Sequence, residues 1–208
     1  MKTLIIGKNS FFASKFKNLK NSKTISHKVF KKEKLSNYSK IILLSMPKNY
    51  RTKISKIKFE KKILQKLRDK KIIYFSTSHV YPNKLGNKEN YVRPQNFYAK
   101  NKIKVENEIK RNFKNFLIIR VPIVFNKKKF SKNSFFDTLN KNFKKNLIKF
   151  NIDFKSRRDL ITLDDLFRYY QKMDKINLVG TFNIGSKKGF SVREIVNEYF
   201  WKKKKKKK

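Results

Sequence analysis

Short apolar segments alternate with segments of helical periodicity along the first 121 residues, and this alternation constrains the fold more than any other feature of the sequence. Residues 3–6, 41–44, 72–75 and 116–121 are short and almost wholly apolar, which is typical of buried strands. Residues 10–19, 54–70 and 97–113 have apolar side chains at helical spacing, and 24–30 alternates like a second strand. Apolar strands joined by helices predict an α/β fold with a parallel sheet covered on both faces.

The pattern loosens after Asn126. We predict helices over 135–143, 164–173 and 191–200, and short strands over 147–152, 160–163 and 180–185. Ser191 and Glu194 have the spacing of a capping box at the start of the last helix. The run from Lys202 to Lys208 is expected to form a solvated, disordered tail.

Composition excludes several classes of protein. The chain has 208 residues and no cysteine, which excludes disulfide scaffolds, thiolate zinc sites and a cysteine nucleophile. No apolar run approaches the ~20 residues of a membrane-spanning helix, and the apolar part of the start is too short for a signal peptide. We therefore expect a cytoplasmic protein with no membrane partner and no metal site.

The charge balance is strongly basic, with 56 Lys+Arg against 14 Asp+Glu and a formal net charge of +42. Lysine is spread over the whole chain and accompanied by many Asn, Ile and Phe residues, the residues of AT-rich codons. Codon bias therefore accounts for much of the lysine content, and solvated lysines are favoured over a dedicated nucleic-acid site. A basic nucleic-acid-binding protein stays as a less favoured alternative.

The turn after the first strand is the first candidate for chemistry. Gly7, Ser10 and Ala13 fall where dinucleotide-binding folds place three small residues, so that backbone N–H groups can meet a pyrophosphate. Ser10 departs from this pattern, because its side chain takes space where the backbone approaches the phosphates. On this turn alone, an ordinary tight turn is an equally good interpretation.

The second candidate lies around Tyr98 and Lys102, which are spaced Tyr-x-x-x-Lys on a predicted helix. Side chains four residues apart on a helix point the same way, and an ammonium beside a phenol lowers the pKa of the phenol. A hydroxyl donor from Thr77, at the end of a buried strand, would orient a substrate oxygen beside this acid/base pair. Taken alone, the pair is better explained by a surface tyrosine near a solvated lysine, because lysine is so common in this chain.

The order of motifs along the chain is more specific than any one of them. After the first turn come Leu44-Ser45-Met46, Ser76-Thr77-Ser78-His79-Val80-Tyr81, Tyr98-x-x-x-Lys102 with Glu106, Arg120-Val121-Pro122, Arg158-Asp159-Leu160 and Asn183-Ile184-Gly185. Over roughly residues 1–200 this resembles the extended short-chain dehydrogenase/reductase family, the NAD-dependent epimerase/dehydratase group that acts on nucleotide sugars.

The resemblance implies a Rossmann-like, doubly wound parallel sheet with a reduced C-terminal substrate lobe. It places catalysis on Thr77, Tyr98 and Lys102, with Tyr98 as general acid/base and Lys102 holding the nicotinamide ribose. It assigns cofactor contacts to Gly7, Asn9, Ser10, Phe11, Leu44, Ser45, Lys31 and Lys102, and substrate contacts to Ser78, His79 and Arg158. The implied cofactor is NADP or NAD, with a slight preference for NADP because lysines follow the second strand.

Within the family, dehydratases usually carry an Asp-Glu pair after the catalytic threonine, where this chain has Ser78 and His79. An epimerase or a 4-keto-sugar reductase of polysaccharide precursor synthesis is therefore expected, acting on a nucleoside-diphosphate sugar. A non-catalytic, nucleotide-binding relative of the same fold is the main alternative, and Ser10 favours it.

The resemblance also suggests an organisation of the chain. We expect a nucleotide-binding domain over 1–126, a substrate lobe over 127–201 with elements that return to the core, and the lysine tail over 202–208. One βα unit is missing between the second strand and Ile41. Family members often form homodimers through the tyrosine-bearing helix, and Phe97, Ile103, Val105 and Ile109 would supply such a face or pack onto the sheet.

Overall fold

The computed structural model describes residues 2–82, 87–126, 134–145 and 153–205. The chain divides into two compact units. The first contains residues 1–121 and 167–184, and the second contains residues 122–166 and 185–208.

The first unit is built on a parallel sheet. Its strands are β1 (Thr3–Ile6), β2 (Ser22–Ile25), β3 (Lys40–Leu43), β4 (Lys71–Thr77), β5 (Phe116–Val121) and β8 (Gly180–Asn183). Among the described residues, these six strands lie in the order β2-β1-β3-β4-β5-β8, and every neighbouring pair is parallel. The chain runs from β1 outward to β2 and then crosses back to β3, so the order reverses between β1 and β3. This confirms the Rossmann-like, doubly wound fold.

Helices of the first unit are α1 (Ala13–Phe16), α2 (Lys58–Gln65), α3 (Phe97–Asn112) and α5 (Leu163–Lys175) from Phe167 onward. Ile41, Ile72 and Ile118 of the strands and Val105 and Ile109 of α3 lie in one buried apolar cluster. The last two were candidates for a dimer face, and the structure places them in the core. Three aromatic rings also pack α1 and α5 against β4: the ring centroid of Phe16 lies 5.0 Å from that of Phe75 and 5.1 Å from that of Phe167.

Polar links tie the end of α5 to the amino edge of the sheet. The Lys40 ammonium lies 2.5 and 2.7 Å from the carboxylate oxygens of Asp174, and Lys71 Nζ donates to Asn177 Oδ1 at 2.6 Å. Burial lowers the pKa of Lys71. Without these bonds, the ammonium groups of Lys40 and Lys71 at the starts of β3 and β4 would lack a polar partner.

The second unit contains β6 (Ile123–Phe125), α4 (Phe135–Lys144), β7 (Arg157–Thr162), β9 (Gly189–Ser191) and α6 (Val192–Lys205). β7 pairs in parallel with β6 and antiparallel with β9. Its core is formed by Phe136, Leu139, Val192, Ile195 and Val196. The predicted capping box is present, since Glu194 N donates to Ser191 Oγ at 3.1 Å and Ser191 N donates to the Glu194 carboxylate at 2.5 Å.

Some predicted elements differ in the structure. The first helix is a single turn, shorter than predicted. Two serines bond the backbone at its start: Ser10 Oγ accepts from Ala13 N at 3.1 Å, and Ser14 Oγ donates to Phe11 O at 2.8 Å. The second strand ends at Ile25, and 3₁₀ turns follow over His27–Lys32 and Leu35–Asn37. The predicted strand over 147–152 lies outside the described residues.

At the C-terminus, α6 continues to Lys205, beyond the predicted end of the last helix at residue 200. Lysine is a good helix former, and cations are favourable near the negative end of a helix dipole. Residues 206–208 of the lysine run lie outside the described residues. Among the helices that the structure describes, none is long and apolar enough to cross a membrane.

Candidate functional site

The carboxyl ends of the parallel strands bring the predicted cofactor residues together at one edge of the sheet. Gly7 follows β1, and Leu44 and Ser45 follow β3, the neighbouring strand. This is the place where the strand order reverses, which is where open α/β sheets bind their ligands.

Gly7 packs directly against the chain after β3. Its φ is +126°, and a Cβ built on it would lie 2.7 Å from Ser45 N and 2.8 Å from the Leu44 carbonyl carbon. Its own N–H donates to the carbonyl of Ile25 at 2.9 Å. No residue with a side chain fits here without moving backbone, so this turn keeps the close approach of a dinucleotide-binding fold.

The rest of the turn is less open. The Ser10 hydroxyl folds back onto the backbone and accepts the Ala13 N–H, which is thereby bonded within the turn. Asn9 is exposed, and Phe11 is half-buried with its ring centroid 6.0 Å from that of Phe12. A phosphate at this turn would depend on backbone N–H groups outside that bond, because the one-turn α1 offers little helix dipole.

One buried hydroxyl at this edge has no partner. Within the described residues, Ser45 Oγ is buried and forms no hydrogen bond. Buried hydroxyls are nearly always bonded in native proteins, so an unsatisfied one beside Gly7 indicates a place for a polar ligand group.

Thr77 and Tyr98 meet at the next strand end. Thr77 is the last residue of β4 and is 6% exposed. Asn96 caps α3 by accepting the Ala99 N–H at 2.9 Å, and Tyr98 lies in the first turn of that helix, half-buried, with the Thr77 side chain close enough to lower the pKa of its phenol. The capped helix therefore brings the phenol to the threonine hydroxyl.

Lys102 lies one helical turn beyond Tyr98 and is 7% exposed. Its Nζ donates to the carbonyl of Phe75 at 2.8 Å and lies 4.5 Å from the ring centroid of Tyr74 and 5.9 Å from that of Tyr98. Burial lowers the pKa of Lys102 to about 8, although the carboxylates of Glu106 and Glu60 oppose this effect.

The pKa of Tyr98 is raised, first by burial of its phenol, while the charge of Arg51 and the nearby Thr77 side chain act in the opposite direction. The sequence predicted that Lys102 would lower this pKa. In the structure the ammonium is directed to the Phe75 carbonyl, and the cation nearest the ring is Arg51, whose Cζ lies 4.7 Å from the ring centroid of Tyr98.

Sequence reasoning missed both Arg51 and the residue that fixes its segment. Asn101 is fully buried, accepts the Ser55 N–H at 2.7 Å, and donates to the carbonyls of Tyr50 and Lys53 at 3.1 and 2.8 Å. No local pattern marks Arg51. In the sequence, the asparagine between Tyr98 and Lys102 is the one sign that another segment packs against this helix.

The other predicted residues lie in different places. The His79 ring is 6.3 Å from that of Tyr98, and Ser78 precedes it in the same 3₁₀ turn. Lys31 is exposed in the turn after β2. Arg158 belongs to β7 of the second unit, where its Nη1 donates to the Arg157 carbonyl at 3.0 Å.

A buried ion pair supports the helix that carries Tyr98 and Lys102. Arg120 of β5 donates from Nε and Nη2 to the Glu106 carboxylate at 3.1 and 2.6 Å, and both residues are at most 1% exposed. Arg120 Nη1 also donates to Tyr81 OH and to the Glu89 carbonyl, each at 2.6 Å. The pair connects α3 to the sheet and to the chain that follows the Val80-Tyr81 motif.

Comparisons with known proteins bear on the family and the fold of the chain. Residues 60–153 match the family model described as the RmlD substrate binding domain. No curated protein matches the chain by sequence.

Solved structures of similar fold cover most of the chain. An NAD-dependent NDP-hexosamine 5,6-dehydratase of tunicamycin biosynthesis has a TM-score of 0.81 at 16% identity, covering 98% of this chain and 81% of its own. A dTDP-4-dehydrorhamnose reductase from Clostridium acetobutylicum has a TM-score of 0.73 at 20% identity, covering 97% and 80%. A UDP-glucuronic acid 4-epimerase from Bacillus cereus was solved with UDP-glucuronic acid and NAD. It has a TM-score of 0.75 at 19% identity, and the match covers 95% of this chain and 82% of the epimerase.

At such identities a structural likeness establishes the fold, and the activity has to be argued from the site. The match over residues 60–153 and these neighbours confirm the resemblance seen in the sequence: the chain has the fold of the extended short-chain dehydrogenase/reductases.

Proposed function

We propose that this chain is a cytoplasmic NAD(P)-dependent enzyme that acts on a nucleoside-diphosphate sugar, as an epimerase or a 4-keto-sugar reductase of polysaccharide precursor synthesis. The observation that carries the proposal is the meeting of Thr77, Tyr98 and Lys102, which are far apart in the sequence, at the carboxyl edge of β4. Their chemistry is that of a general acid/base with its supporting groups.

The residues at the sheet edge fit a nicotinamide dinucleotide. Gly7 lets the turn after β1 pack directly against residues 44–45, and Ser45 Oγ is a buried hydroxyl that lacks a partner among the described residues. Gly7, Asn9, Ser10 and Phe11 would lie along the pyrophosphate, Leu44 and Ser45 along the adjoining chain, and Lys102 at the nicotinamide ribose. When bound, the nicotinamide accepts or supplies a hydride.

The adenosine end bears on the choice between NAD and NADP. Glu33, the acidic residue nearest the end of β2, is engaged by Lys23 Nζ at 3.0 Å and Tyr38 OH at 2.6 Å. Its carboxylate is therefore not free for a ribose hydroxyl, whereas Lys31 is exposed on the same turn. We infer that NADP binds at least as well as NAD, although the epimerase from Bacillus cereus was solved with NAD.

Proton transfer is the task of Tyr98. Its hydroxyl would take the proton of a sugar hydroxyl during oxidation and return it to a sugar carbonyl oxygen during reduction. Thr77 Oγ1 accepts the His79 N–H at 3.2 Å, which leaves its one hydroxyl proton for the phenol of Tyr98 or for the same sugar oxygen. Lys102, whose ammonium donates to the Phe75 carbonyl, would hold the nicotinamide ribose.

The residues after Thr77 bear on the type of reaction. Ser78 and His79 offer no carboxylate for elimination of water, so epimerisation or reduction is favoured even though one structural neighbour is a dehydratase. His79, with its ring 6.3 Å from that of Tyr98, and Ser78 are the proposed substrate contacts of this strand end, and Arg158 is proposed as a further one.

Turnover with a panel of UDP- and dTDP-hexoses tests the proposal. Purified protein is incubated with each sugar and NAD(H) or NADP(H), and products are followed by proton NMR and by nicotinamide absorbance, in parallel with Tyr98→Phe. We expect turnover that Tyr98→Phe lowers by at least about 100-fold, the range of general acid/base catalysis. Equal signals from both proteins would contradict the proposal, and nucleotide binding without turnover would instead favour the non-catalytic relative.

A further inference from the structure

The segment 50–57 lies against α3 and is held there by several bonds. The Asn101 side chain makes three hydrogen bonds, to the backbone of Tyr50, Lys53 and Ser55. Lys104 Nζ donates to the Ser55 carbonyl at 3.1 Å. These bonds attach the segment to the helix that carries Tyr98.

The beginning of the segment is also anchored from the other side. Tyr50 is 1% exposed and its hydroxyl donates to the carboxylate of Glu60 in α2. Glu60 is itself 1% exposed. Arg51 therefore lies between Tyr50, which Glu60 and Asn101 hold, and Lys53, which Asn101 also holds.

Arg51 is exposed, and its guanidinium lies over the ring face of Tyr98 with Cζ 4.7 Å from the centroid. This is within the distance at which a cation and an aromatic face attract. Within the described part of the chain, no carboxylate forms an ion pair with Arg51, so its charge is not neutralised by a neighbour.

We propose that Arg51 is a positioning residue of the Tyr98 site: it holds a fixed positive charge over the phenol ring and favours the deprotonated form of Tyr98. The role assigned to Tyr98 rests on the proposed function, but the effect of Arg51 on its ionisation does not. The spacing of the two residues predicted this effect for Lys102, but its ammonium donates to the Phe75 carbonyl and lies 5.9 Å from the centroid of the Tyr98 ring.

The other titratable groups around Tyr98 define the background against which Arg51 acts. The Thr77 side chain lies near the phenol, the His79 ring is 6.3 Å from the ring of Tyr98, and Lys102 lies one turn along α3. The ring of Tyr74 in β4 lies 4.5 Å from Lys102 Nζ, and the charge of Tyr98 contributes to raising the pKa of Tyr74. The charge of Lys102 acts to lower the pKa of Glu60. Among these, only Arg51 and Thr77 oppose the effect of burial on the Tyr98 pKa.

Ionisation of Tyr98 is measured directly by NMR on protein labelled at tyrosine Cζ with carbon-13, titrated from pH 7 upward without nucleotide or sugar. Tyr98→Phe assigns the resonance. Arg51→Gln removes the charge, Arg51→Lys retains it, and Lys53→Gln removes an exposed charge two residues away that does not lie over the ring. Thermal melting of each variant checks that the fold is kept.

We expect Arg51→Gln to raise the midpoint of Tyr98 by about half a pH unit, with Arg51→Lys between it and wild type and Lys53→Gln unchanged. An unchanged midpoint in Arg51→Gln overturns the inference, as does an equal shift in Lys53→Gln. A Tyr98 resonance that does not titrate in the folded wild-type protein also overturns it. Since no ligand is present, the result is independent of whether the protein turns over a sugar.

Discussion

Burial sets the protonation of the two central residues of the site in opposite directions. The phenol of Tyr98 has a raised pKa and the ammonium of Lys102 has a pKa lowered to about 8, both chiefly because water is excluded. Each group therefore favours its neutral form more than it would in water. The consequence is that small changes of charge nearby, such as that of Arg51, have a measurable effect on this pair.

Nucleotide affinity is expected to depend on the protonation of Lys102. Below pH 8 the ammonium is charged, and above pH 8 it becomes neutral in the folded protein. NADH affinity should fall about tenfold as the pH rises through 8, because a charged hydrogen bond is lost. Fluorescence titration of NADH from pH 6.5 to 9.5 measures this, with the exposed Lys100→Gln as control, which should keep the same profile.

The sign for stability is the opposite of that for affinity. Between about pH 8 and 10.5 the unfolded chain binds the Lys102 proton and the folded chain does not, so the free energy of unfolding rises with pH over this window.

An NADH affinity that rose through pH 8, or stayed flat, would show that Lys102 does not hold the nucleotide.

Among the glycines that the structure describes, two at positive φ form a matched pair for testing the cofactor turn. Gly7 and Gly180 have φ of +126° and +124°, but a Cβ on Gly7 meets backbone at 2.7 Å, whereas one on Gly180 meets only the Phe182 ring at 3.6 Å. Gly180→Ala should lower the free energy of unfolding by about 1–2 kcal/mol, and Gly7→Ala by about 2 kcal/mol more. Urea denaturation measures both, and equal losses would mean that the Gly7 turn is not closely packed.

At the scale of elements, α3 connects the sheet, the 50–57 segment and the candidate site. Its inner face carries Asn101, Lys102, Val105, Glu106 and Ile109, all buried. Its outer face carries exposed Lys100, Lys104 and Lys110. This distribution agrees with packing on the sheet, and it leaves only Phe97 and Ile103 of the proposed dimer face outside the fully buried set.

The buried ion pair of α3 should matter far more than its exposed ones. Glu106→Gln leaves Arg120 buried with an incomplete partner, which should lower the free energy of unfolding by about 3 kcal/mol. Glu108→Gln, on the same helix, affects the longer surface pairs with Lys61 and Arg111 and should cost less than about 1 kcal/mol. Similar losses from the two variants in urea denaturation would contradict a structural role for the Glu106–Arg120 pair.

Sequence reasoning identified the elements whose pattern is local. β1 and β5 have the predicted bounds, and Tyr98 and Lys102 lie on one helix, as their spacing predicted. It was wrong where tertiary contacts decide: α2 begins at Lys58 because Asn101 holds Ser55 in another conformation and Ile57 adopts φ of +46°. Arg51 escaped for the same reason, since its contact with Tyr98 comes from chain packing and not from spacing.

At the scale of the whole molecule, the excess of lysine opposes compactness. A formal charge of +42 on 208 residues produces self-repulsion that salt screens within a Debye length of ~10 Å at 0.1 M. The acidic groups are too few to neutralise this surface, and several of them are committed to internal bonds, as with Glu106 and Asp174.

Thermal stability should therefore rise with ionic strength. We expect the melting temperature to increase by several degrees between about 10 and 300 mM NaCl, as circular dichroism would show. A lower melting temperature in salt would mean that surface ion pairs such as Lys141–Asp137 dominate over repulsion.

We propose that one site for a nicotinamide nucleotide is formed by residues at the carboxyl edge of the sheet, Gly7, Ser45, Thr77, Tyr98 and Lys102. A crystal structure of the protein soaked with NADPH would show whether they act together. We expect the pyrophosphate against the Gly7 turn, a ligand atom bonded to Ser45 Oγ, and the nicotinamide ribose at Lys102 with Tyr98 beside the ring. A nucleotide bound elsewhere, or a Gly7 turn that stays closed at saturating NADPH, would contradict the claim.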